Sequence, residues 1–184
     1  MDKTKGIITG KVYVLDNNID TDLIIPACYL NLVPTIPEEY QKLGSYALSG
    51  LPSNYPRFIK EGQSVSQYSI IVAGKNFGCG SSREHAVTAL AAAGIKAVIA
   101  ESYARIFFRN AVATGELYPL ESEQPLGEFF KMGMHAEINI AEGTITNKSS
   151  NIVYRLKLLG AVGPVVAAGG IFGYARSTGM IRKK

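Results

Sequence analysis

Two short β-branched runs, "YSIIVAG" (68–74) and "KAVIAES" (96–102), are each followed by a segment of helical length that ends in glycine: "REHAVTALAAAG" (83–94) and "ARIFFRNAVATG" (104–115). Near-continuous apolar runs of this length suit strands buried on both faces, and parallel neighbours need a crossover between them. This β-α-β-α order predicts an α/β fold built on a parallel sheet. Around it, residues 7–15 alternate like a half-buried strand, and residues 134–159 alternate like antiparallel strands with a turn at Glu142-Gly143. Residues 164–180 read as one closing, glycine-bearing helix. Four prolines between Pro34 and Pro56, with a short helix over 38–48, predict an irregular surface excursion near 34–66 rather than core. The expectation is a single domain over 1–184.

Composition narrows the classes. With 184 residues, 47% of them hydrophobic and 18% charged, the chain can bury one substantial core. No stretch approaches the roughly 20 apolar residues of a membrane helix, and "MDKTKGIITGKVYV" lacks the apolar block of a secretory leader. A cytoplasmic protein with no membrane partner is expected. The formal charge of +4 is scattered along the chain instead of forming a stripe, so nucleic acid is not an expected partner. Cys28 and Cys79 are the only cysteines, which fits a reducing compartment. Two thiolates cannot hold an iron–sulfur cluster, so no metal site is assigned here and any cluster must come from a partner.

The most unusual stretch is "GKNFGCGSSREHA" (74–86), which joins a strand's carboxyl end to a helix's amino end. Open α/β sheets bind ligands at that edge, where backbone N–H groups and the helix dipole favour an anion. Gly74, Gly78 and Gly80 allow close backbone approach, and Arg83 can grip a carboxylate with two prongs. A small dicarboxylate fits these features. The structural alternative is a capping box, with Ser81 serving the helix N-terminus and Glu84 answering it. The loop matches neither the Walker pattern nor the dinucleotide fingerprint. A Cys79–His85 nucleophile is not supported by spacing alone; His85 reads as a packing or hydrogen-bonding residue of the first helical turn, and His135 as structural.

Four motifs together go beyond generic pattern: the glycine-rich loop, "DNNIDTDLIIPACYL" (16–30), "SYARIFFRNAVATGELYPL" (102–120) and "AGGIFGYARSTGMI" (168–181). In content and order they resemble the small subunits of isopropylmalate dehydratases, of the aconitase superfamily. The resemblance implies a swivelling β/β/α domain like the mobile C-terminal domain of aconitase. It also implies a large-subunit partner carrying a [4Fe–4S] cluster, and interconversion of 2- and 3-isopropylmalate by dehydration and rehydration in leucine biosynthesis. The other readings are a homoaconitase-like or methyl-malate dehydratase small subunit, and a non-catalytic anion-binding regulatory module.

Carried over onto this sequence, the resemblance makes Ser81 the proton-abstracting alkoxide, with Ser82, Arg83 and Gly80 at the substrate carboxylates, and it leaves Ser82 to cap the helix. A serine hydroxyl is too weak an acid to ionise unaided, so N–H donors and positive charge must stabilise the alkoxide. Asp20, Thr21, Asp22, Asn76, Gly78, Cys79, Glu84 and His85 are expected to support that site. Without the resemblance, "DNNIDTD" reads as an Asx-type turn after a strand. The family's substrate-selecting loop falls on Cys28, Tyr29, Leu30, Asn31, Leu32 and Val33. Many members carry arginine where Cys28 and Asn31 stand here, and its absence suits an isopropyl group better than a further carboxylate. Arg105 and Arg109 receive no catalytic role.

Overall fold

The computed structural model describes residues 6–182. Seven strands form one mixed sheet: β1 (Ile7–Leu15), β2 (Tyr68–Ala73), β3 (Ala97–Ala100), β4 (Tyr118–Glu121), β5 (His135–Asn139), β6 (Thr144–Asn147) and β7 (Ile152–Arg155). Their order is β4-β3-β2-β1-β5-β6-β7. β1 to β4 run parallel, whereas β5 joins the other side of β1 antiparallel and β6 and β7 continue as a meander. β1 is therefore the strand at which the sheet changes character.

The β-α-β-α expectation holds, with α3 (Glu84–Ala92) following β2 and α4 (Arg105–Thr114) following β3. Alternate residues of the central strands feed two separate cores, as the strand period requires. Tyr13, Leu15, Ile71 and Ala73 join one with the inner sides of α3 and α4, while Val12, Ile70 and Val72 join the other with Ile138, Ile145 and Tyr154. Beyond β7, the Lys157 N–H donates to the Glu121 carbonyl at 2.8 Å and its ammonium reaches the Glu121 carboxylate at 3.1 Å. That link ties the β4 edge to the end of the meander, so the sheet curls.

Two expectations need correction. The excursion near 34–66 contributes to the core: Leu43, Ala47, Leu48 and Phe58 are buried. Its helix α2 (Pro37–Ser45) lies so close to α3 that a Cβ on Gly44 would stand 2.7 Å from the Ala92 carbonyl carbon. The Tyr13 hydroxyl donates to the Pro56 carbonyl at 2.6 Å, and its ring meets Phe58 edge to face. Prolines shape the turns here, but the apolar residues between them still find the core. The closing segment is likewise two short helices, α5 (Gly163–Ala167) and α6 (Ile171–Ser177), because Gly169 and Gly170 take positive φ between them. Among the described residues no helix is long and apolar enough to cross a membrane.

Candidate active site

β1 and β2 end in register, with Leu15 opposite Ala73, so the segments that leave them emerge side by side. Residues 16–22 and 74–83 are tied together over their whole length. The Lys75 N–H donates to the Asn17 side-chain carbonyl at 2.6 Å, the Asn18 N–H to the Lys75 carbonyl at 2.8 Å, and the Asn76 amide to the Asn18 side-chain carbonyl at 3.0 Å. Further along, the Gly78 N–H donates to Ile19 and the Thr21 N–H to Cys79, at 2.7 and 2.8 Å. The "DNNIDTD" segment does more than turn: Asp20 caps a one-turn helix, α1 (Thr21–Ile24), by accepting from the Leu23 N–H at 2.8 Å.

The glycines of the loop face the chain itself as much as any ligand. At Gly78, with φ +75°, a Cβ would overlap the Phe107 ring, and at Gly74 it would strike the Asn17 side chain. Only Gly80 of the three is exposed; its φ of +90° bends the backbone over Thr21. Asn76, also at positive φ, takes a conformation that asparagine tolerates.

Neither serine caps α3, contrary to expectation. The helix starts one residue later, its N-cap position is Arg83, and no side chain caps its first N–H groups. The capping box therefore does not form, although Glu84 opens the helix. Ser81 and Ser82 are both exposed, and among the described residues no hydrogen bond engages either hydroxyl. The uncapped N–H groups of α3 and its positive dipole end lie next to them.

Arg83 also differs from expectation. Its two-pronged grip is already taken by Asp22, with Nη1–Oδ1 at 2.5 Å and Nη2–Oδ2 at 2.9 Å, and Nη1 also donates to the Ile25 carbonyl at 3.2 Å. The Arg83 side chain is only 11% exposed, against 58% for Asp22. This hydrogen bonding holds the Asp22 carboxyl below the ordinary aspartate range. Burial, reinforced by the Asp20 charge, pushes the Cys79 thiol up, so Cys79 is poorly suited to be a nucleophile. His85 Nε2 lies 2.9 Å from the Leu32 carbonyl, which can only accept, so that nitrogen carries the hydrogen.

That bond brings the 28–33 loop against the start of α3. Its Tyr29, Leu30 and Leu32 side chains pack on the core, and Tyr29 stacks on Tyr46 with ring centroids 3.8 Å apart. Cys28, Asn31 and Val33 are the exposed members. The apolar end of this loop is thus turned partly inward, not wholly toward a ligand. Sequence reading missed the Asp22–Arg83 pair and the anchoring by Asn17, Asn18 and Phe107. Only the polar motif containing Asn17, Asn18 and Asp22 hinted at it, since the pairing spans 61 residues.

The aconitase C-terminal domain family matches residues 38–125. Small subunit 1 of 3-isopropylmalate dehydratase from Arabidopsis thaliana is 57% identical over 175 residues, which cover 94% of this chain and 70% of that protein. The chain belongs to the 3-isopropylmalate dehydratase small-subunit family. A further member, the isopropylmalate/citramalate isomerase small subunit of Methanocaldococcus jannaschii, is 42% identical over 173 residues, covering 94% of this chain and 95% of that one. A crystal structure of 3-isopropylmalate dehydratase from the same organism superposes with a TM-score of 0.78 at 37% identity, covering 95% of this chain and 96% of that one. The swivel-type α/β fold of aconitase relatives is accordingly the fold of this chain. The two cysteines do not fit a cysteine-ligated cluster, and among the described residues no three His, Cys, Asp or Glu side chains gather as metal ligands.

Proposed function

We propose that this chain is the small subunit of a 3-isopropylmalate dehydratase, a hydro-lyase of leucine biosynthesis that is inactive alone. It would interconvert 2- and 3-isopropylmalate together with a large subunit that carries the [4Fe–4S] cluster. The observation that carries this reading is the exposed Ser81-Ser82 pair, whose hydroxyls make no hydrogen bond among the described residues and which is set at the open, positive end of α3 in a member of this family. Ser81, as its alkoxide, takes the proton from the carbon next to a substrate carboxylate; the electron pair left behind forms the double bond as the hydroxyl departs from the neighbouring carbon. Rehydration in the other sense then gives the isomer. The α3 N–H groups favour the alkoxide and the carboxylates, while Arg83, its fork taken by Asp22, holds the end of the loop that carries the serines. Departure of the hydroxyl is assigned to the large subunit. The lack of arginine among residues 28–33 suits an isopropyl substituent.

The test is co-expression with a large subunit, anaerobic reconstitution with iron and sulfide, and an assay of isomer interconversion in a cytoplasmic extract and with purified proteins. Activity should require both chains, and iron should stay with the pair. Stoichiometric iron on this chain alone, or an assembled pair without isomerase activity, would overturn the reading.

A further inference from the structure

Four polar side chains are buried among the described residues: Thr21, Thr88, Ser122 and Asn147. A buried hydroxyl must find a partner, and most find one nearby. Thr88 bonds one turn back in its own helix, and Ser122 accepts from a backbone N–H two residues on. Asn147 donates to the Phe129 carbonyl, away from the site. Thr21 is different: at 2% exposure, its Oγ1 donates across 60 residues to the carbonyl of Ser81, at 3.1 Å.

We infer that Thr21 is a positioning residue, whose hydroxyl fixes the main chain of Ser81 and thereby the aim of the Ser81 oxygen at the substrate. This rests on the reading of Ser81 as the base. No group in the described chain holds the Ser81 hydroxyl, so its placement depends on its backbone. That backbone is gripped twice by the same residue: the Thr21 N–H holds the Cys79 carbonyl at 2.8 Å and its Oγ1 holds the Ser81 carbonyl. The two bonds straddle Gly80, where a Cβ would stand 3.3 Å from Thr21 Oγ1, and the bend at Gly80 brings the chain over the threonine. On the far side, Asp22 pins Arg83. Removing the hydroxyl frees the one stretch between those anchors that bears the serines. The remaining bonds between residues 16–22 and 74–83 do not use this hydroxyl, so the chain keeps its fold while the oxygen loses its aim.

The experiment uses the assembled pair with Thr21→Val, which keeps the branched shape without the hydroxyl, and Thr21→Ser, which restores the hydroxyl without the methyl. Thr21→Val should lower kcat about tenfold or more, the scale on which small misplacements act, with KM within about twofold and subunit association unchanged. Thr21→Ser should recover most of the turnover. A Thr21→Val pair with wild-type kcat overturns the inference, and so does a Thr21→Ser pair as impaired as Thr21→Val, because packing alone would then explain the residue. Should Thr21→Val fail to assemble, Thr21→Cys takes its place; failure of both to assemble also overturns it. Absence of isomerase activity in the wild-type pair would instead sink the reading of the enzyme itself.

Discussion

The 74–83 loop and the 28–33 loop meet at the start of α3, but they are held by opposite means. In the first, glycines and main-chain bonds to residues 17–21 do the holding, and the polar side chains of Ser81 and Ser82 are left outside. In the second, the side chains do most of it: Tyr29, Leu30 and Leu32 pack inward, while the carboxyl end is tied by His85 to the Leu32 carbonyl and by Glu39 to the Val33 N–H. A loop anchored through its backbone can carry reactive side chains without changing its shape. One anchored through its side chains can vary only at the positions that face out.

The largest effect expected from this contrast is at Ser81. Ser81→Ala should lower turnover of the assembled pair by at least about a hundredfold, the scale of a positioned general base. Neither it nor Ser82→Ala should cost the roughly 0.5–2 kcal/mol of a lost helix cap, because Arg83 occupies the N-cap and no side chain caps the helix. Near-normal turnover in Ser81→Ala would remove the chemistry from this loop. An unfolding midpoint lowered by Ser82→Ala would show that the serine supports the helix after all.

The second loop gives a smaller and split effect. Arginine at the inward Leu32 should destabilise the chain by about 1–3 kcal/mol through overpacking, read by denaturant unfolding. Arginine at the exposed Val33 should leave stability within about 0.5 kcal/mol. It should shift discrimination between a substrate with an isopropyl group and one with a further carboxylate in its place by about 1–3 kcal/mol in kcat/KM. Equal stability losses at the two positions would show that the loop is not sided as described, and an unchanged substrate ratio at Val33 would move selection to the large subunit.

The smallest effects are two titrations of opposite sign, one at Asp22 beside the first loop and one at Cys79 within it. Hydrogen bonding to Arg83 favours the Asp22 carboxylate, so its NMR-detected midpoint should fall below that of an ordinary aspartate. Its contribution to stability is then complete above the unfolded carboxyl's pKa and lost as pH falls through the lowered folded value. Burial favours the uncharged Cys79 thiol, so alkylation of Cys79 in a Cys28→Ser background should rise only at a pH above that of free cysteine. An Asp22 midpoint in the ordinary range would break the Arg83 pairing, and a Cys79 that alkylates readily near neutral pH would reopen its role as a nucleophile.

How far the sequence could be read follows the range of the interactions. β1, β2, α3 and α4 announce themselves through period and flanking glycine, since both signals are local. The Asp22–Arg83 pair and the Thr21–Ser81 bond join residues about sixty apart, and nothing in either segment alone specifies them. The "SSRE" stretch misled for the same reason: it has the composition of a capping box, but the guanidinium is drawn to Asp22 and the helix begins one residue late. Leu43, Leu48 and Phe58 were hidden by prolines that mark turns without saying which way the intervening side chains point.

The register of β1 on β2 has a kinetic consequence. Pairing Leu15 with Ala73 is what brings residues 16–22 and 74–83 side by side, and it closes a loop of more than fifty residues containing α2. Long-range parallel pairing is an intrinsically slow event in folding. A newly made chain therefore has no trace of the site while its local helices form, and acquires the whole of it when those two strands lock. A partner that recognises these loops would select chains that have completed this step and pass over those still on the way.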